Sequence, residues 1–130
     1  MLDEAFLAAR LFLGVPFIVW GWMKLAGGEA KLVPGLSALG LPDAVVFAYL
    51  IGACELIGGL AVAIGYPART ASLALGLWCL VTGIQAHRGN INELLKNVAM
   101  AGGYFALAAV GAGSLSLFRG EPPGLLAHLP

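Results

Sequence analysis

Four stretches of this chain are almost continuously apolar, and each has the length of a bilayer crossing. They run over about residues 5–26, 43–65, 68–87 and 92–112, against the roughly 20 residues that a spanning helix requires. The separators are equally regular. "GGEAKLVPGLSALGLP" is rich in Gly and Pro, "YP" stops the second stretch, and "RGN" divides the third from the fourth. Pro67 suits the entry to a helix, where its missing N–H costs nothing. The pattern predicts an all-α fold: an integral membrane four-helix bundle, up-down-up-down, in a single domain over residues 1–118. From "FRGEPPG" onward, residues 119–130 read as a Pro/Gly-rich tail. An even number of crossings places both termini on one side (side A), with the first and third loops on the other (side B).

Polar residues inside these stretches sort onto particular faces at 100° per residue. In the first helix Arg10, Leu13, Phe17, Trp20 and Lys24 form a narrow stripe, which we expect to look into the bundle because lipid cannot solvate two cations. Snorkelling of each cation toward its nearer interface is the competing reading. Pro16 should kink this helix and expose the carbonyl of Phe12. In the second helix Gly52, Glu55 and Gly59 share a face, and small residues allow close helix approach, so Glu55 should point at protein. In the third, Gly76, Leu80, Gly83 and His87 form one seam, with Trp78, Thr82 and Gln85 on the opposite face. In the fourth, Asn97, Ala101, Tyr104, Ala108 and Gly111 share a small-and-polar face, and Lys96 lies at its edge.

Depth along the helices, at about 1.5 Å per residue, divides the polar residues into two zones. Glu55 lies roughly 18 Å from side B and Tyr104 roughly 16 Å, with Arg10 about 7 Å deeper. These three are expected to form a mid-membrane polar node. Lys24, His87, Lys96 and Asn97 gather within about 6 Å of side B, as a polar mouth with Trp20 at its margin. A mid-membrane carboxylate without a partner is too costly to persist. Glu55 is therefore expected to face the first and fourth helices, hydrogen-bonded to a group such as Tyr104 or paired with Arg10.

Composition narrows the function classes. The 130 residues are 60% hydrophobic and only 11% charged, with mean hydropathy +0.91; a soluble domain carries roughly 25% charged residues. The formal net charge is zero and no basic run is present, so nucleic acid is excluded as a partner class. Arg69 and Arg119 fall on side A, Lys31 and Arg88 on side B, so loop charge does not orient the chain. "MLDEAF" is acidic and does not read as a secretory leader. Cys54 and Cys79 form no CxxC pair and read as small apolar residues. No metal cluster and no haem-ligand pair on facing helices is evident, so no metal and no covalent cofactor is expected.

The segments "ARLFLGVPFIVWGWMKL", "ALGLP", "ELIGGLAVAIGYPAR", "QAHRGN" and "KNVAMAGGYFALAAVGAGSLSL", in that order, resemble the DoxX family of small four-helix membrane proteins, over roughly residues 5–117. The resemblance implies a bacterial inner-membrane protein with cytoplasmic termini. It also implies membership of a family in which some proteins are subunits of quinone-linked or other membrane oxidoreductases. The positions that match the family's polar pattern are Arg10, Gly21, Lys24, Glu55, Gly58, Gly59, Arg69, His87, Lys96 and Asn97. In the closing "GAGSLSL", Ala112 stands where the family commonly has Pro.

Three functions remain open at this level. The first is an oxidoreductase-associated subunit that binds a quinone or lipid between helices, with His87, Lys24 or Asn97 on the quinone oxygens and Trp20 beside the ring. The second is a passive structural or assembly subunit. The third is a small transporter or proton path. No residue is assigned a catalytic role, because the chain has no redox centre of its own and would act with an oxidoreductase partner or as a homo-oligomer. The first loop, residues 27–42, is apolar enough to lie at the interface.

Overall fold

The computed structural model describes residues 1–117. Within them five α-helices follow one another: α1 (Leu2–Met23), α2 (Val33–Ala38), α3 (Ala44–Ile64), α4 (Ala68–Ala86) and α5 (Ile91–Val110). The tail expected over residues 119–130 lies outside the described residues.

The four long helices form an antiparallel up-down-up-down bundle. Gly14 of α1 meets Gly59 and Ala63 of α3, whereas Gly21 meets Gly52 and Leu56, so the two helices run in opposite directions. Glu55 lies level with Trp78, and Gly58 with Leu75, which makes α3 and α4 antiparallel. Gly83 faces Asn97 and Gly76 faces Phe105, which does the same for α4 and α5. Asp3 accepts from the Ser114 backbone N–H at 3.1 Å, so the chain's start and the segment after α5 share one end.

Lipid is the solvent that this surface requires. Phe12, Leu50, Ile57, Leu77, Val81 and Ile84 are all exposed on the outside of the bundle. The span from Leu2 through Lys31 and the α3 span have mean hydropathies of 1.6 and 2.1 and are long and apolar enough to cross a membrane. With 19 and 20 residues, α4 and α5 have the same reach, about 30 Å. Inside, Phe17, Val62, Leu75, Cys79, Tyr104 and Leu107 form the core. Phe17 packs edge-on to Tyr104, with ring centroids 5.6 Å apart.

Local signals explain most helix ends. The Asn90 side chain caps α5 by accepting from the N–H groups of Asn92 at 3.2 Å and Glu93 at 3.3 Å. Gly65 closes α3 with φ 84°, a left-handed conformation that favours glycine. The end of α1 behaves differently. Its helical path continues through a wide turn over Lys24–Gly28, broken at Ala26 and Gly27, then a short 3-10 turn over Glu29–Lys31. Much of the first loop is therefore helical, and α2 packs beside the start of α3.

A strap closes side A. After α5, residues 111–117 run without regular structure. The Leu117 N–H donates to the Ile64 carbonyl at 3.0 Å, and Arg10 donates to the Leu115 carbonyl. Arg69 donates to the carbonyls of Ala108 (3.3 Å), Ala109 and Val110 (3.1 Å). Those carbonyls end α5 and lack intrahelical partners. At side A, Arg10 therefore ties α1 to the strap, and Arg69 ties the start of α4 to the end of α5.

Candidate functional site

Helix α3 reaches the site through two unlike faces. Toward α1 it presents Gly52 and Gly59, and the approach is close enough that a Cβ on Gly59 would lie 2.7 Å from the Gly14 carbonyl oxygen. Toward α4 it packs less closely, leaving a cleft of about 390 Å³. Phe47, Leu50 and Cys54 of α3 and Ala71, Ala74 and Trp78 of α4 line its walls, and Glu55 stands among them. Leu50 is 53% exposed and Cys54 is exposed, so the cleft opens sideways, toward lipid.

Glu55 joins the two faces. Its side chain is only 7% exposed, and Oε2 lies 2.5 Å from the Lys24 Nζ in an ion pair. The indole N–H of Trp78 donates to Oε1 at 2.9 Å. Lys24 opens the wide turn that continues α1 and Trp78 stands on α4, so one carboxylate of α3 fastens both neighbours. Charge-assisted bonds of this kind are about twice as strong as neutral ones. Each carboxylate oxygen carries two lone pairs, so both retain capacity for a further donor.

The expected node of Glu55, Tyr104 and Arg10 does not assemble. The Tyr104 hydroxyl donates to the Leu13 carbonyl at 2.7 Å, next to the Phe12 carbonyl that Pro16 deprives of its helical donor. Arg10 reaches the side-A strap, and its guanidinium lies against Gly65, about 15 Å along α3 from Glu55. Glu55 faces α1 as expected, but its other partner is on α4, the third crossing, and not on the fourth.

The polar mouth is likewise divided. Lys24 pairs with Glu55 because the close glycine packing of α1 on α3 sets the register between them. That register leaves Lys24 beside Gly52, whose Cβ would meet the Lys24 Cβ at 2.9 Å. Asn97 belongs to the α4–α5 pair: its Nδ2 donates to the Glu93 carbonyl at 2.9 Å, and the Thr82 hydroxyl donates to its Oδ1 at 3.2 Å. Lys96 is exposed and pairs with Glu93 at 2.6 Å. His87 is the residue that ends α4, half-buried in the turn whose Asn90 N–H donates to its carbonyl at 2.9 Å. Trp20 is 42% exposed and rests edge-on against Phe17, with centroids 5.3 Å apart. It does not line the cleft.

Trp78 and Cys54 are the cleft residues with a side-chain donor, and sequence reasoning selected neither for a site. A signal existed for Trp78. It lies off the glycine seam of α4, and an indole N–H inside a membrane protein needs an acceptor. Cys54 precedes Glu55 on the lipid-facing side, where a thiol reads as one more small apolar residue. Among the described residues no group of three or more His, Cys, Asp or Glu is placed to hold a metal ion.

An antiparallel bundle with an apolar exterior, and with an ion pair held between its helices, defines an integral membrane protein of the all-α class. The DoxX family model matches residues 5–88. The chain is 32% identical to the inner membrane protein YqjF of Escherichia coli (strain K12), over 90% of its own length and 92% of that protein's. It is 26% identical to the inner membrane protein YphA of the same organism, over 87% of each. This chain belongs to the DoxX family. No solved structure matches it.

Proposed function

We propose that this protein is a bacterial inner-membrane subunit of an oxidoreductase system, and that it holds a quinone or a lipid between α3 and α4. The α3–α4 cleft carries the reading. Its volume of about 390 Å³ falls within the range of small-molecule sites, about 300–1,000 Å³. Its walls are apolar, and its one ionisable carboxylate is held in place by Lys24 and Trp78. A molecule dissolved in the bilayer could enter sideways without crossing water, with its tail left in lipid and its headgroup against Glu55. Electrons would come from a partner protein. The names of both relatives support the inner-membrane location.

Native mass spectrometry of the full chain released from its own membrane tests this directly. A retained quinone or lipid that is lost in the cleft-filling variant Gly58→Leu supports the reading; an empty protein refutes it. A second reading, a purely structural subunit, draws on Arg69 and Tyr104, whose donors go to backbone carbonyls of other helices. Under that reading Gly58→Leu would leave both the bound molecules and partner assembly unchanged.

A further inference from the structure

The two donors beside Glu55 approach it from definite directions, and this determines what the carboxylate can still bind. Lys24 takes Oε2 from the α1 side, and Lys24 is not a cleft residue. Trp78 does line the cleft, but its single N–H is already directed at Oε1. Of the remaining lining groups, only the Cys54 thiol can donate, and weakly. The cleft therefore meets its ligand with an acceptor: the one N–H of Trp78 is engaged on Glu55, and the Lys24 ammonium lies on the α1 side, outside the cleft lining.

A quinone headgroup has only carbonyl and ether acceptors. Against an ionised carboxylate its oxygens face like polarity and find no donor stronger than the Cys54 thiol. The hydroquinone has the same ring and tail but carries two O–H donors, one of which can take a free lone pair of Glu55. We propose that the α3–α4 cleft recognises the reduced, hydroxyl-bearing form of a membrane quinone through an O–H bond to Glu55, and discriminates against the oxidised form. The proposal rests on the cleft being a ligand site as described above, and deepens it by naming the headgroup. Only binding is involved; no bond is broken and no electron is transferred at this site.

The test measures binding of four probes to the full chain in nanodiscs under anaerobic conditions: a short-chain benzoquinol, its quinone, the dimethyl ether of the quinol, and diacylglycerol. The ether retains the shape of the quinol and removes the donors. The quinol should bind at least about tenfold more tightly than the quinone or the ether, a difference of the size expected for one hydrogen bond to a charged group. In Glu55→Gln, whose amide can donate as well as accept, the quinol-to-quinone ratio should fall toward one. Should Glu55→Gln fold poorly with Lys24 left unpaired, the double variant Glu55→Gln with Lys24→Met gives the same reading. Equal binding of quinol and quinone, abolished for both by Gly58→Leu, would overturn this inference and leave the cleft reading standing. Binding of none of the four would overturn both. Diacylglycerol binding as tightly as the quinol would refute the hydroquinone assignment.

Discussion

The two faces of α3 solve opposite problems. Toward α1, Gly52 and Gly59 bring backbone against backbone, and the hypothetical Cβ of Gly21 lies 2.6 Å from the Gly52 carbonyl oxygen. Toward α4, Gly58 meets only the flexible end of Leu75, at 3.2 Å, and the helices stand far enough apart to leave the cleft. In lipid, helices gain no hydrophobic free energy by touching one another, so association depends on close packing and interhelical polar bonds. The α1–α3 face uses packing. The α3–α4 face relies on the Glu55–Trp78 bond instead, and the space it leaves is available to a ligand. A glycine on a helix therefore means different things on its two sides: at Gly21 it permits contact, whereas at Gly58 it helps preserve a gap.

The sharpest way to break this contrast is to remove the group that both faces share. Glu55→Leu strands the Lys24 ammonium inside the bundle and should destabilise by about 3–5 kcal/mol, as for other broken buried pairs. Denaturation in detergent or nanodiscs measures it, and adding Lys24→Met should recover much of the loss. Next comes the glycine pair. Gly21→Ala forces two backbones apart and should cost about 1–3 kcal/mol, whereas Gly58→Ala, against a movable Leu75, should cost far less. Equal losses at the two positions in a thermal-shift comparison would remove the distinction between the faces.

Trp78→Phe keeps an aromatic ring but is smaller and deletes the donor to Glu55, so it should cost at least about 1.5–3 kcal/mol, the range of a hydrogen bond to a charged group. The hydrogen-bond part of that loss should vanish in a Glu55→Leu background, which a double-mutant cycle would read. Away from α3, Asn90→Ala removes the cap of α5 and should cost about 1 kcal/mol. Smallest of all is Lys96→Ala. Its pair with Glu93 is solvent-facing, with Lys96 66% exposed, so thermal melts should show at most about 0.5 kcal/mol.

The bundle itself was legible because its signal is one-dimensional. A bilayer demands long apolar runs, and Gly, Pro and Asn must interrupt them, so helix number, order and antiparallel direction follow from reading along the chain. Gly52 and Gly59 flanking Glu55 also placed the carboxylate against protein by simple helical spacing. Partner choice is three-dimensional, and there the reading failed in specific ways. Depth along each helix assumes level helix ends, but the packing of Gly14 on Gly59 and Gly21 on Gly52 sets the register of α1 against α3 and brings Lys24 beside Gly52, within a lysine's reach of Glu55. Counted along the helices, Arg10 is within reach of Glu55, yet the strap after α5 gives it an acceptor at Leu115. No periodicity in either segment encodes that meeting, because residues 10 and 115 come together only once α1 and α5 have packed. The same holds for Trp78. Its face on α4 could be computed from the sequence, but the acceptor opposite it depends on how far α3 and α4 rotate and separate, which the packing of all four helices decides together.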